Sequence, residues 1–205
     1  MSIAELKPIE RAIVSGPNAE ILSSVADPAT MLAIWRRRLS DQLRDAADKI
    51  SERALDDVTS LDPFCERERR RARQELAGVT GGDGAPLHDD LLDLSRRYAE
   101  ASQSRTVKIR LETVRDDGCR RFHLDNVVMR LVVTYRGPGT QWVAPAFACA
   151  ARDQQTAYEG PLNRIGTGDV TLFRGKKSGA PDLIYHRSPP LSQGAPARLV
   201  AVIDS

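Results

Sequence analysis

Residues 122–142 read FHLDNVVMRLVVTYRGPGTQW, and the order of side chains in that stretch decides the fold. A histidine and an aspartate, His123 and Asp125, stand two apart. A nearly continuous apolar run rich in β-branched residues follows, VVMRLVVTY (127–135), and then the turn-forming cluster RGPGT. A run of that length and composition bounded by Gly and Pro suits a central strand. Along a strand, residues i and i+2 face the same way, so His123 and Asp125 are expected side by side. Val127, Met129, Leu131, Val133 and Tyr135 continue their parity, which predicts one face lining an enclosed interior.

Around this stretch the pattern has a period of two. In VKIRLE, Val107, Ile109 and Leu111 alternate with Lys108, Arg110 and Glu112. Further strands are expected at 170–174, 183–186 and 198–203, divided by GTGD, KKSGAP and SPPLSQGAP. Short strands with Gly/Pro turns favour a sandwich or barrel over a βαβ fold. Before residue 103 the spacing is helical. From Asp27-Pro28 onward, Met31, Ile34, Trp35, Leu39, Leu43, Ala46, Ala47 and Ile50 recur at steps of three and four, which predicts a helix with Trp35 as a core anchor. Helices are also expected over 66–77 and 89–102, joined by a flexible 78–86. The expected class is therefore α+β: a helical region over 1–103 packing on a double-stranded β-helix, jelly-roll or cupin-like, over 104–205.

Composition narrows the function. The 205 residues are 41% hydrophobic and 28% charged, enough for a buried core, and the formal net charge is only +2. That balance gives no argument for nucleic acid or a membrane surface as a partner. ERERRRARQE (66–75) carries arginine and glutamate at helical ion-pair spacing without interleaved aromatics, so it reads as a solvated helix face. The three cysteines, Cys65, Cys119 and Cys149, make no CxxC pair, which suits reduced thiols in the cytoplasm. The N-terminus lacks the apolar run of a signal peptide, and nothing approaches the roughly 18 apolar residues of a membrane span. P-loop, GxGxxG, nucleophile-elbow and HExxH motifs are missing from the sequence.

Three histidines remain to be weighed. His88, in PLHDDLL, precedes a helical pattern where acidic residues serve as caps, and is read as structural. Cys119 stands four residues before His123; on one extended strand the two lie roughly 13 Å apart, too far for joint ligation without a bend. His186 ends LIYH and, joined to His123 and Asp125, completes a 2-His-1-carboxylate set. Such a triad leaves three adjacent positions of an octahedral metal open, as in non-haem Fe(II) oxygenases. Arg198 opens the last strand, RLVAVI, on one face with Val200 and Val202; a guanidinium facing a barrel interior needs an anionic partner. Arg187, adjacent to His186, should point to the opposite side.

The order His123-x-Asp125, VVTYRGPGT, GDVTLF, His186, Arg198 resembles the core of the Fe(II)/2-oxoglutarate dioxygenases, above all the prolyl-hydroxylase-like branch. The resemblance implies that His123, Asp125 and His186 bind iron and act in catalysis, and that Arg198 binds 2-oxoglutarate. Tyr135 and Thr140, flanking the Gly137-Pro138-Gly139 turn, are implied as further cofactor-binding residues. The implied activity is hydroxylation of a small-molecule or peptide substrate. LAIWRR (32–37) with residues 122–142 also resembles an uncharacterised bacterial group, domain-of-unknown-function family 1826. That likeness implies an alternative role as a non-enzymatic, cupin-like protein handling zinc, for which a closed four-ligand shell is expected.

Overall fold

The computed structural model describes residues 12–51, 56–115, 119–191 and 196–205. Its centre is a seven-stranded sheet built from β1 (Ile13–Gly16), β2 (Leu32–Trp35), β3 (Asp56–Leu61), β4 (Val107–Val114), β5 (Met129–Arg136), β8 (Val170–Arg174) and β10 (Arg198–Asp204). The spatial order is β1-β2-β8-β5-β10-β4-β3. All neighbours are antiparallel except β1 and β2. A second sheet of three short strands, β6 (Gln141–Trp142), β7 (Asn163–Arg164) and β9 (His186–Arg187), is ordered β7-β6-β9. The mixed α+β class expected from the sequence is what the chain adopts.

The two faces of the large sheet are chemically distinct. Val107, Ile109, Leu111, Leu131, Val133, Val170, Leu172, Leu199, Ala201 and Ile203 point to one side. There they join Leu43 and Ala47 of α1 (Asp41–Lys49), Leu76 of α2 (Glu66–Thr80), and Leu91, Leu94 and Tyr98 of α3 (Ala85–Ser102) in the main core. Apolar side chains at period two on the strands and three to four on the helices bury the same surface, at about 25 cal/mol per Å² removed from water. On the opposite face Leu32, Ile34 and Phe173 pack against Trp142, Ile165 and Ile184, which seats the small sheet over part of the large one. Arg130, Val132, Val200, Val202 and Arg198 share that second face and line a cavity there.

Several sequence expectations need correction. No helix runs from Asp27 to Ile50: LAIW is strand β2, paired on both sides, with Leu32 opposite both Ile13 and Phe173. Four consecutive apolar residues can satisfy a doubly covered strand as well as a helix face, and pairing with β1 and β8 wins. The Asp27 carboxylate accepts from the Ala29 amide in a turn, while the helix cap is Ser40, whose Oγ accepts from Leu43 N. Trp35 is therefore only half-buried; its indole N–H donates to Pro17 O, and Arg37 and Arg97 lie 4.8 and 5.4 Å over its ring. Residues before 103 thus contribute three strands to the sheet besides their helices. α2 runs on to Thr80 and α3 starts at Ala85, with Pro86 in its first turn, so His88 is inside the helix. Of the expected strand at 183–186, only His186 lies in β9.

Candidate metal centre

His123 and Asp125 precede β5 in an irregular segment, and the small sheet brings His186 to them. His123 and His186 pair as an isolated antiparallel bridge, each backbone amide donating to the other's carbonyl at 3.0 and 3.1 Å. The imidazole centroids are 4.7 Å apart, and Phe173 packs 4.4 Å from the His186 ring. Asp125 is held by a second loop: Lys176 N donates to Asp125 O and Lys177 N to Val127 O. Gly175 permits that approach, since a Cβ there would stand 2.3 Å from Val127 O.

The protonation pattern follows from the partners. His123 Nδ1 lies 2.9 Å from Arg121 O and His186 Nδ1 3.1 Å from Ile184 O. A carbonyl oxygen only accepts, so each Nδ1 carries a proton and Nε2 is the ring atom left to ligate a cation. Asp125 is 5% exposed, and its Oδ2 lies 3.2 Å from His186 Nε2. That contact is close in distance but makes no hydrogen bond, and Oδ2 has no donor among the described residues. One ligand atom from each of His123, Asp125 and His186 falls within 4.8 Å of the others, the arrangement a cation completes.

Burial lowers the His123 pKa, and neighbouring His186 lowers it further. Burial alone would raise that of Asp125, but His186 and the Arg130 guanidinium bring it below the ordinary carboxylate range. The three side chains border a cavity of about 250 Å³ whose wall also includes Thr140, Val132, Val200 and Arg198.

Residues 16–204 match the family model described as "Protein of unknown function (DUF1826)". The chain belongs to this family. No curated protein matches the sequence. Among solved structures, a prolyl-4-hydroxylase from Pseudomonas putida is similar at 14% identity and TM-score 0.49, covering 92% of this chain and 96% of that one. The rice dioxygenase for auxin oxidation matches at 11% identity and TM-score 0.45, over 94% and 81% of the two chains. HygX from Streptomyces hygroscopicus, solved with iron bound, matches at 13% identity and TM-score 0.35, over 81% and 86%.

In this DUF1826 chain Arg198 enters the same cavity as the triad, 2% exposed. Nε donates to Pro138 O at 2.7 Å and Nη1 to Ser188 Oγ at 3.0 Å, while Thr134 Oγ1 is 3.5 Å from Nη2. Each of these partners is neutral; no carboxylate pairs with Arg198 among the described residues. Burial pulls its pKa down to about 10. Arg187 borders the cavity but its guanidinium is engaged with Gln141 Oε1, Gln155 O and the Phe122 ring.

Tyr135 does not reach the cavity. It lies on the helix-covered face, its hydroxyl donating at 2.6 Å to Asp90 Oδ2, and Asp90 also pairs with both terminal nitrogens of Arg37. Burial and the Asp90 charge push its pKa well up. The chain bends at 126–128, so the parity counted from Asp125 is lost and the even residues of β5 face the site. Thr134, not Tyr135, stands beside Arg198, and Thr140 lines the cavity. Cys119 borders the cavity but is outside the ligand cluster, and His88 is buried against Thr80, 2.5 Å from its hydroxyl. Arg130 had no sequence signal; it donates to Asp125 Oδ1 and to Asp204.

Proposed function

We propose that the chain is an Fe(II)- and 2-oxoglutarate-dependent oxygenase. One observation carries the reading: two imidazoles and a carboxylate converge on a cavity shared with a buried arginine that forms no carboxylate salt bridge among the described residues. His123, Asp125 and His186 would hold the metal through Nε2, Oδ2 and Nε2. Arg198 would receive the distal carboxylate of the 2-oxo acid, with Thr134 beside it and Thr140 on the cavity wall. Arg198 hydrogen-bonds only to neutral acceptors and feels the Glu112 charge without contact, so a carboxylate ligand in direct contact supplies the missing pairing. Bound iron with a 2-oxo acid supplies O2 activation and oxygen insertion into a C–H bond. Val132, Val200 and Val202 supply an apolar part of the cavity wall, which limits water around the reacting atoms. A zinc store would want four protein ligands, whereas three converge here among the described residues.

The test is an anaerobic titration of the Fe(II)-loaded protein with 2-oxoglutarate, following the metal-to-ligand absorption band. Wild type should develop the band, and His186→Ala should lose stoichiometric iron. Arg198→Ala should keep the iron and weaken 2-oxoglutarate by roughly 2–5 kcal/mol, the cost of truncating one partner of a buried charge pair. A wild-type protein that binds iron but shows neither band nor affinity for 2-oxoglutarate defeats the oxygenase reading.

A further inference from the structure

We infer that Arg130 is a positioning residue that fixes Asp125 as a one-oxygen ligand. This rests on the metal-binding reading above. Arg130 stands on β5 facing the cavity, and its guanidinium spans two carboxylates. Nη1 donates at 2.5 Å to Asp125 Oδ1, while Nε and Nη2 donate at 3.0 and 2.6 Å to Asp204 Oδ2 at the end of β10. The side chains of Asp125, Asp204 and Arg130 are 3, 11 and 22% exposed, so the bridge is largely shielded from water. It divides the two oxygens of Asp125 between two tasks. Oδ1 is taken by a charge-assisted hydrogen bond, and Oδ2 is left facing His186 Nε2 without a donor.

A free carboxylate can swing to grip a cation with both oxygens. Held by Arg130, Asp125 offers one, so a bound ion keeps an extra position for an exogenous ligand. Asp204 anchors the guanidinium from the far side and also balances its charge. Asp125, Arg130 and Asp204 together carry one net negative charge toward a dication. Neutralising Arg130 alone would leave two buried carboxylates and raise affinity for any cation by charge. The informative variant therefore removes the bridge without changing net charge.

The experiment uses the full-length protein and Co(II) alone, with affinity and the visible d–d spectrum as readouts. Wild type should bind one equivalent. Arg130→Gln/Asp204→Asn should bind Co(II) about 10- to 100-fold more weakly, the usual range for losing an outer-shell partner. Its d–d band should also change in position and intensity as Asp125 reorients. Arg130→Lys keeps the charge but cannot fork across both carboxylates; it should fold, and its band should shift in the same direction. It serves as the deciding variant if the paired one does not fold. Wild-type affinity and an unaltered band in these variants overturn the positioning role while leaving the metal site standing. Failure of wild type to bind Co(II) at all overturns both.

Discussion

Gly137→Ala tests whether the RGPGT turn is shaped around Arg198. Gly137 has φ +82°, where an L side chain costs roughly 1–2 kcal/mol. A Cβ there would stand 2.8 Å from Arg198 Cγ, about 1 Å inside ordinary carbon–carbon contact. Arg198 has little room to retreat, because it is 2% exposed and tied to Pro138 O and Ser188 Oγ. Moving it sacrifices at least one hydrogen bond to a charged group, about 1.5–3 kcal/mol. The whole effect should be about 3–4 kcal/mol. In a urea titration followed by tryptophan fluorescence, with a slope of roughly 2 kcal/mol/M, the midpoint should fall by about 1.5–2 M. Gly179→Ala is the control: its φ is +70°, but nothing lies within 4 Å of the added Cβ, so only the backbone cost of about 1–2 kcal/mol applies. Equal losses for the two variants would refute the claim that the turn and Arg198 are packed against each other.

Asp90→Ala strips the partner from Arg37 and from the Tyr135 hydroxyl in a pair only 13% and 14% exposed, and should cost about 3–5 kcal/mol by denaturant titration. Tyr135→Phe, which leaves the Arg37–Asp90 pair in place, should cost about 1.5–3 kcal/mol and leave 2-oxoglutarate affinity unchanged. Trp35→Ala should cost about 2 kcal/mol, below the 3–5 typical of a fully buried tryptophan, because the ring is only partly buried against the core. The His88 pKa is lowered by burial and by Arg73, so the unfolded chain takes up the proton first. Its contribution to stability is then present above about pH 6.5 and lost as pH falls below that. The loss in urea stability between pH 7 and pH 5 should be smaller in His88→Gln; an identical loss removes His88 from the account. Gly175→Ala, with its Cβ forced onto Val127 O and 2.9 Å from Asp125 O, should weaken metal binding more than it lowers the thermal midpoint, measured by Co(II) titration and melting.

The cluster of His123, Asp125 and His186 was legible because its evidence is local and chemical. Few residue types bind cations through lone pairs, and with three histidines in the chain each could be weighed by its neighbours. The strands at Val107–Val114, Val170–Arg174 and Arg198–Asp204 were legible for a similar reason, since alternation along each states which face is buried. Arg198 shares its face with Val200 and Val202, as counted, because β10 keeps an unbroken register against β4, while the shift at Leu199–Val200 falls in its pairing with β5.

Residue content was already in the sequence: His123, Asp125, His186 and Arg198, together with an α+β chain rich in short strands. Everything that depends on a partner far away in the chain waited for the tertiary structure. LAIW became a strand because β1 and β8 were there to pair with it, a fact a helical count cannot contain. Tyr135 turned away from the cavity because the bend at 126–128 reset the parity, and Asp90 on α3 was waiting on the other side. Arg130 gained its place only when Asp125 and Asp204, five and 74 residues away, met on its two sides. Residue chemistry is intrinsic and can be read singly. Pairing, facing and charge compensation are relations between residues, and folding alone sets them.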